Sequence, residues 1–191
     1  MTAAVILASG LSGRMGTHKA LLEWRPRVTF LEKLAGECLD AGCAPVVCTV
    51  GPTVLPYFKD LGSRPGVVMA VNPNPEKERI FAVRVALSHV LQRPYCLILN
   101  VDNPFIDAAI LRKIIESADP GAWCSPEYRG QGGHPVLLPA GIVKRIVEQA
   151  ETGLTLRSLL GGFPKKTVEM ENDSVLRNIN TPEDYRALRN T

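Results

Sequence analysis

The stretch that decides the fold is AAVILASGLSGRMGTHKALL, residues 3–22. Its first six residues are apolar and include β-branched side chains, a pattern typical of a parallel strand that is buried on both faces. The residues that follow are rich in glycine, hydroxyl and cationic side chains. Glycine permits sharp turns and a close approach of backbone N–H groups to a ligand, and consecutive N–H groups bind anions. The stretch therefore predicts a strand that ends in a phosphate-binding loop.

The glycine spacing separates this loop from two common phosphate-binding loops. Gly10, Gly13 and Gly16 are spaced by three, whereas a dinucleotide fingerprint needs Gly-x-Gly-x-x-Gly. A Walker loop needs its lysine directly after the last glycine, but two residues separate Gly16 from Lys19. A glycine-rich turn that binds no ligand is the alternative. We disfavour it because a bare connection rarely needs so many glycines, hydroxyls and cations together.

Composition describes an ordinary globular protein. The chain has 191 residues, of which 46% are hydrophobic and 21% charged, and its net charge is +3. This length suffices for one domain with a sizeable core. Lys and Arg are scattered, so we expect no nucleic-acid partner. Because the first strand begins within three residues and no apolar run approaches the roughly twenty residues that span a bilayer, we expect a cytoplasmic protein without a membrane partner.

Five cysteines are present, without a Cys-x-x-Cys motif. They fall within predicted helices and strands, which favours buried free thiols over a metal–sulfur site. They are Cys38, Cys43, Cys48, Cys96 and Cys124.

Beyond the loop, strands and helices alternate. Further strands are predicted over residues 45–50, 66–71, 95–101, 122–126, 136–139 and 166–170. Helices are predicted over residues 30–41, 54–60, 76–92, 110–117, 142–151 and 154–160, with a last helix that begins after Thr181. Thr29 and Glu32 have the spacing of a capping box for the first helix. The alternation predicts an α/β fold, a three-layer α/β/α sandwich with a mostly parallel sheet.

Asp102 is the acidic residue that this topology brings to the loop. Ligands of such sheets bind beyond the carboxyl ends of the strands, where the glycine-rich loop and Asp102 both lie. Asp102 follows an apolar strand directly, so it is either a functional carboxylate or a turn residue before Pro104. The spacing alone does not separate these interpretations.

Residues 7–22, LASGLSGRMGTHKALL, resemble the signature loop of the MobA-like NTP transferase family, which is related to molybdenum-cofactor guanylyl- and cytidylyltransferases. Asp102-Asn103-Pro104, residues 133–136 (GHPV) and residues 178–184 (NINTPED) resemble further family segments, in the expected order. The resemblance implies a Rossmann-like sheet of the nucleotide-diphospho-sugar transferase type. It also implies that residues 1–191 form a single nucleotidyltransferase domain.

The resemblance implies a role for each matched residue. Arg14, Lys19 and Asp102 would be catalytic, and Asp102 would also hold a magnesium ion, which favours oxygen ligands. Asn180 would be the second metal ligand. The family has carboxylates where this chain has Asn178 and Asn180, so the segment either binds magnesium weakly or only begins the last helix. The nucleotide would be bound by Leu7, Ala8, Ser9, Gly10, Ser12, Gly13, Arg14, Met15, Gly16 and Lys19.

His134 and Arg157 are the candidates for the acceptor site. His134 is either beside the acceptor or a loop histidine that bonds to backbone, and Arg157 either faces the acceptor or lies on a solvated helix face. We assign no proton transfer to His134, because a phosphate monoester is already largely ionised near neutral pH.

The implied function is magnesium-dependent transfer of CMP or GMP from CTP or GTP to a small phosphate-bearing acceptor, of the molybdopterin type, with release of pyrophosphate. An apoenzyme that receives the finished cofactor would be a further partner. One segment departs from the family: residues 78–83 (ERIFAV) replace a stretch of smaller residues. Two alternatives therefore stay open, transfer to a sugar phosphate or another small phosphate, and a nucleotide-binding module that has lost turnover.

Overall fold

The apolar run near the amino end forms strand β1 (Ala3–Leu7), and all five of its residues are buried. This computed structural model describes residues 1–77, 79–149 and 153–190, with the side chain of Arg14 left out. β1 has a parallel neighbour on each side, so both of its hydrogen-bonding edges are paired, and helices pack against both of its faces. A strand in that position is apolar without alternation, as the sequence predicts.

The described residues form ten strands and seven α-helices. The strands after β1 are β2 (Glu23–Arg25), β3 (Val28–Thr29), β4 (Val46–Val50), β5 (Val67–Val71), β6 (Tyr95–Asn100), β7 (Trp123–Tyr128), β8 (Gln131–Gly132), β9 (Val136–Pro139) and β10 (Lys165–Glu169). The helices are α1 (Phe30–Asp40), α2 (Lys59–Gly62), α3 (Arg79–Leu87), α4 (Ala108–Glu116), α5 (Ala140–Glu148), α6 (Leu156–Leu160) and α7 (Pro182–Arg189). Short 3₁₀ helices cover Gly13–Met15, Lys19–Leu21, Leu55–Phe58 and Asp173–Val175.

The main sheet has the order β5-β4-β1-β6-β9-β7-β10, with β8 paired to β7. β9 runs antiparallel to both β6 and β7, while β5, β4, β1 and β6 are mutually parallel. β2 and β3 form a separate hairpin. The sheet is therefore mixed but mostly parallel, as predicted.

Helices cover both faces of the sheet. Ala4 and Ile6 of β1 pack into one hydrophobic cluster with residues of α1 and α4. Val5 and Leu7 point the other way, into a second cluster with residues of α3 and α5. This alternation confirms the predicted three-layer α/β/α sandwich.

Several local predictions are confirmed and others need correction. The capping box of Thr29 and Glu32 is present at the start of α1. The predicted helix over residues 76–92 is shorter, because the Lys77 N–H donates to the Asn74 carbonyl in a turn and the Val90 N–H donates to Leu87 in another. The hairpin of β2 and β3 was not predicted, because two- and three-residue strands carry no readable periodicity.

The five cysteines are free thiols and all are buried, as expected. Burial raises the pKa of Cys43 to about 11 and that of Cys48 to about 12. Such thiols remain protonated near neutral pH and pack as small apolar groups. Within the described ranges, no helix has the length and apolar character needed to cross a membrane.

Candidate active site

The glycine-rich loop leaves the carboxyl end of β1 in a folded conformation. Ser12 and Gly16 both have left-handed backbone angles, with φ of 51° and 66°. The Ser12 hydroxyl oxygen accepts a hydrogen bond from the Lys19 backbone N–H at 3.1 Å, and the Ser12 carbonyl accepts one from Met15 at 2.8 Å. These contacts close the loop on itself, so hydrogen bonds within the loop, to the Ser12 hydroxyl and to its carbonyl, hold its shape.

Lys19 joins the loop to two distant segments. Its Nζ lies 2.8 Å from Oδ1 of Asn180 and 3.4 Å from Oδ2 of Asp102. The Lys19 and Asp102 side chains are only 15% and 26% exposed, so solvent screens their interaction weakly. The structure thus brings together Lys19, Asp102 and Asn180, three residues that the resemblance places in one site.

Backbone contacts fix the positions of Asp102 and Asn180. The Ile179 N–H donates to the Asp102 carbonyl at 2.7 Å, which ties the end of β6 to the segment before α7. The backbone N–H groups of Asn180 and Thr181 donate to Oδ2 of Asp184, each at 2.8 Å. These hydrogen bonds hold the pKa of Asp184 below its ordinary value. The start of α7 is therefore both a helix cap and a support for Asn180.

The oxygen atoms here are suited to a hard divalent cation. Oδ1 of Asp102 is buried and has no hydrogen-bond partner among the described residues. A buried carboxylate oxygen without a donor is costly, and a cation would relieve that cost. The neutral amide oxygen of Asn180 accepts a hydrogen bond from the Lys19 ammonium, which also contacts Asp102. The residues therefore fit a magnesium-type ion held by one carboxylate, one amide oxygen and ligand phosphates.

A cavity of about 280 Å³ lies between the loop and Asp102. Asn72 at the end of β5 is part of its wall, and its Nδ2 donates to the buried Ser9 hydroxyl at 3.0 Å. The sequence pattern alone does not single out Asn72, because its only signal is a polar residue directly after a strand. The residues predicted to bind the nucleotide or metal that line this cavity are Leu7, Ser9, Gly10, Ser12, Lys19 and Asp102.

A larger cavity of about 760 Å³ lies beside the first. His134 and Arg157, the two residues predicted for the acceptor site, both line it. The two cavities share Leu7, Arg79 and Asn100 as wall residues, so they meet at the ends of β1 and β6. Lining residues that the sequence analysis did not identify include Trp123, Ser125, Thr155 and Lys165.

His134 is held between backbone and charged groups. Its backbone N–H donates to the Val175 carbonyl at 3.0 Å, and its ring Nδ1 atom is buried with no hydrogen-bond partner in the part of the chain that the structure describes. Burial is the main cause that lowers its pKa; the Arg79 charge lowers it further, and Asp102 opposes both. The imidazole is therefore neutral at pH 7, which suits hydrogen bonding to a ligand.

Arg79 belongs to the segment that departs from the family. Its guanidinium donates a hydrogen bond to Oδ1 of Asn100, at the junction of the two cavities. The sequence marked this segment only as unusual, because the position of Arg79 beside Asn100 depends on how α3 packs against the sheet.

The remaining site predictions differ in what the structure says of them. Met15 is buried in the hydrophobic core, where it anchors the loop, and Asn178 is exposed. Ala8, Gly13 and Gly16 lie in the glycine-rich segment that follows β1. The side chain of Arg14 and residue Glu78, the first of the segment that departs from the family, lie outside the described part of the chain.

Comparison with known proteins identifies the family. The MobA-like NTP transferase domain matches residues 4–169. The molybdenum cofactor cytidylyltransferase of Escherichia coli is 26% identical over 95% of this chain and 92% of its own length. The molybdenum cofactor guanylyltransferase of Xanthomonas euvesicatoria is 28% identical over 96% of this chain and 92% of its own length.

Solved structures agree with this assignment at the level of the fold. The Rv0371c protein of Mycobacterium tuberculosis superposes with a TM-score of 0.84 at 24% identity, over 100% of this chain and 97% of the other. A nucleotidyl transferase of Methanothermobacter thermautotroptrophicus gives 0.82 at 23% identity, over 100% and 96%. The chain belongs to the MobA-like NTP transferase family and is a nucleotidyltransferase.

Proposed function

We propose that the chain transfers a CMP or GMP group from CTP or GTP to the phosphate of a molybdopterin-type acceptor and releases pyrophosphate. The observation that carries this proposal is the contact of Lys19 with Asp102 and Asn180 at the mouth of the glycine-rich loop. The two cofactor transferases named above support the donor and acceptor classes. Their identities to this chain are similar, at 26% and 28%, so both donors are retained.

In this reaction an oxygen of the acceptor phosphate attacks the α-phosphorus of the donor. The bond from the α-phosphorus to the oxygen that bridges it to the β-phosphorus breaks, and pyrophosphate leaves. Loop N–H groups, Arg14 and Lys19 stabilise the charge on the phosphates, because such transfer depends mostly on positioning and electrostatics. The acceptor phosphate is already ionised, so His134 orients it and accepts no proton.

Asp102 and Asn180 are the residues that would hold Mg²⁺. A bound ion would neutralise part of the phosphate charge during transfer. The buried, unpartnered Oδ1 of Asp102 supports this role. Asn180 contributes no charge, so we expect magnesium to bind mainly together with the triphosphate rather than to the protein alone.

A thermal-shift panel of the four ribonucleoside triphosphates, with and without magnesium, tests the nucleotide site. We expect one of CTP or GTP to raise the melting temperature when magnesium is present, and ATP and UTP to have little effect. No shift with any triphosphate would contradict the proposal.

A nucleotide-binding module without turnover is the second candidate. It is favoured by the neutral Asn180, which leaves Asp102 as the one carboxylate at the cation site of the described residues. Binding of CTP or GTP without pyrophosphate release, whether a molybdopterin-type or a sugar-phosphate acceptor is supplied, would support this candidate. Pyrophosphate release with a sugar phosphate alone would reassign the acceptor.

A further inference from the structure

Arg79 is the first residue of α3, and its side chain lies in the wall that the two cavities share. Its hydrogen bond to Asn100 fixes the guanidinium at this junction. Asn100 is itself 8% exposed and ends β6, two residues before Asp102. The guanidinium is therefore held at the end of β6, and it lines the smaller cavity together with the predicted catalytic residue Asp102.

The partner of Arg79 is a neutral amide, so its charge is not cancelled there. None of the ion pairs in the described part of the chain involves Arg79. By contrast Lys165, another cation on the larger cavity, lies 4.0 Å from Glu127 and over the Trp123 ring. Arg79 and His134 both line the larger cavity, and the Arg79 charge contributes to the lowered pKa of His134.

The larger cavity has the character of a site for an anion with an apolar body. Three cationic residues line it, and its described lining contains no carboxylate. The cations are Arg79, Arg157 and Lys165, and the apolar lining includes Ile80, Val83, Val136, Leu156 and Leu160. Of the three cations, Arg79 alone also lines the smaller cavity beside Lys19 and Asp102.

We propose that Arg79 binds the phosphate of the acceptor at the junction of the two cavities and holds it next to the α-phosphate of the donor. This inference rests on the proposed function and assigns the acceptor's phosphate to a residue that the sequence marked only as a departure. A guanidinium has five N–H donors in a fixed fork. The bond to Asn100 uses one of them and orients the rest, so a phosphate can be bound bidentately.

The test measures the binding of an acceptor-type phosphate separately from the binding of the nucleotide donor. Arg79→Gln removes the charge, and Arg79→Lys keeps it without the fork. Arg64→Gln is the matched control, because Arg64 is exposed and precedes β5, at the amino end of the parallel strands and opposite the site. The probes are the α,β-methylene analogues of CTP and GTP with magnesium, followed by phenyl phosphate titrated into the analogue complex by calorimetry.

We expect Arg79→Gln to weaken phenyl phosphate binding about tenfold or more, as for the loss of a charged hydrogen bond. Arg79→Lys should recover part of that loss, since it restores the charge alone. Affinity for the nucleotide analogue should change less than about twofold in both variants, because the proposal assigns Arg79 to the acceptor phosphate and not to the donor. Arg64→Gln should match the wild type in both titrations.

Unchanged phenyl phosphate affinity in Arg79→Gln would overturn the inference, as would a wild-type complex that does not bind phenyl phosphate. Lost nucleotide affinity with phenyl phosphate binding intact would assign Arg79 to the donor and overturn it too. In each of these results nucleotide binding to the wild type stands, so the proposed function is not contradicted by the failure of this inference. If neither analogue binds the wild type, the proposed function fails and this inference fails with it.

Discussion

Lys19 is the residue on which the site depends most. Its backbone N–H contacts the loop through Ser12, while its side chain contacts Asp102 from β6 and Asn180 from the start of α7. One lysine therefore links three segments that are far apart in the sequence. It also brings a positive charge to the place where phosphate charge would develop.

Replacing Lys19 by Ala tests that charge. We expect turnover to fall by about 10²–10³-fold, the usual cost of removing one preorganised charge-stabilising group. The fold should survive, because the side chain is partly exposed and lies outside the hydrophobic core. Steady-state pyrophosphate release and a melting curve measure both effects. Lys59→Ala, at an exposed position, is the control. Turnover within a few-fold of the wild type would remove Lys19 from the mechanism.

His134 makes a prediction about stability against pH. In the folded protein the pKa of His134 is lowered from its ordinary value of 6.5. Below about pH 6.5 the imidazole is therefore protonated to a greater extent in the unfolded chain than in the folded chain. The free energy of unfolding should therefore fall as the pH drops below about 6.5, and His134→Gln should flatten this dependence. Urea titrations at pH 5.5, 6.5 and 7.5 measure it, with the exposed His89→Gln as control. If the free energy of unfolding depends on pH equally in the wild type and in His134→Gln, the prediction is contradicted.

At the scale of elements, the His134 loop depends on a close approach between two backbones. A Cβ atom at Gly133 would overlap the carbonyl oxygen of Val175 and lie 2.8 Å from its carbonyl carbon. The same carbonyl oxygen accepts a hydrogen bond from the backbone N–H of His134. Because Gly133 has no side chain, the loop can pack against the 3₁₀ helix Asp173–Val175. Gly133 and His134 line the larger cavity, so this part of its wall depends on the absence of a side chain at position 133.

Gly133→Ala should destabilise the fold by about 1–3 kcal/mol, the usual cost of forcing atoms into a packed site. Gly141→Ala is a matched control. Gly141 lies in α5, and among the described residues no heavy atom apart from its chain neighbours and its own helix backbone lies within 4 Å of its Cβ position. Alanine in a helix is favoured over glycine, so this variant should be neutral or slightly more stable. Chemical denaturation compares the two. A Gly133→Ala variant as stable as Gly141→Ala would show that the backbones can separate at no cost.

The sequence predicted elements well where local and tertiary preferences agree. β1 and β6 are apolar throughout, and Thr29 with Glu32 caps α1 as expected. The residues 76–92 carried helical periodicity, but turns shorten the helix at both ends. Of the site, the motif resemblance predicted Lys19 and Asp102. The contact of Arg79 with Asn100 could not be predicted, because it joins residues of two elements through tertiary packing alone.

At the scale of the whole molecule, the parallel strand order explains why the site exists. β1 and β6 are neighbours, so the loop after one and Asp102 after the other meet at one edge of the sheet. The segment before α7 reaches the same edge through the bond from Ile179 to Asp102. A ligand bound there would contact segments that are far apart in the sequence, the loop after β1, the end of β6 and the segment before α7.

Ligand binding should therefore stabilise the whole fold. A ligand that binds only the folded state at one hundred times its Kd adds about 2.7 kcal/mol to the free energy of unfolding. We expect the preferred triphosphate with magnesium to give an increase of this size in urea titrations. The same ligand should raise the free energy of unfolding of the Asp102→Asn variant by a smaller amount, because the proposed cation site then lacks the charge of the carboxylate. Equal stabilisation of both proteins would contradict the role of Asp102 in ligand binding.

The most direct test of the proposed reaction is pyrophosphate release by the wild-type protein from CTP and from GTP, with magnesium and a molybdopterin acceptor. We predict release with one of the two triphosphates that requires the acceptor and falls at least about a hundredfold in Asp102→Asn. Triphosphate binding without any acceptor-dependent pyrophosphate release would contradict this account and would leave a nucleotide-binding module in its place.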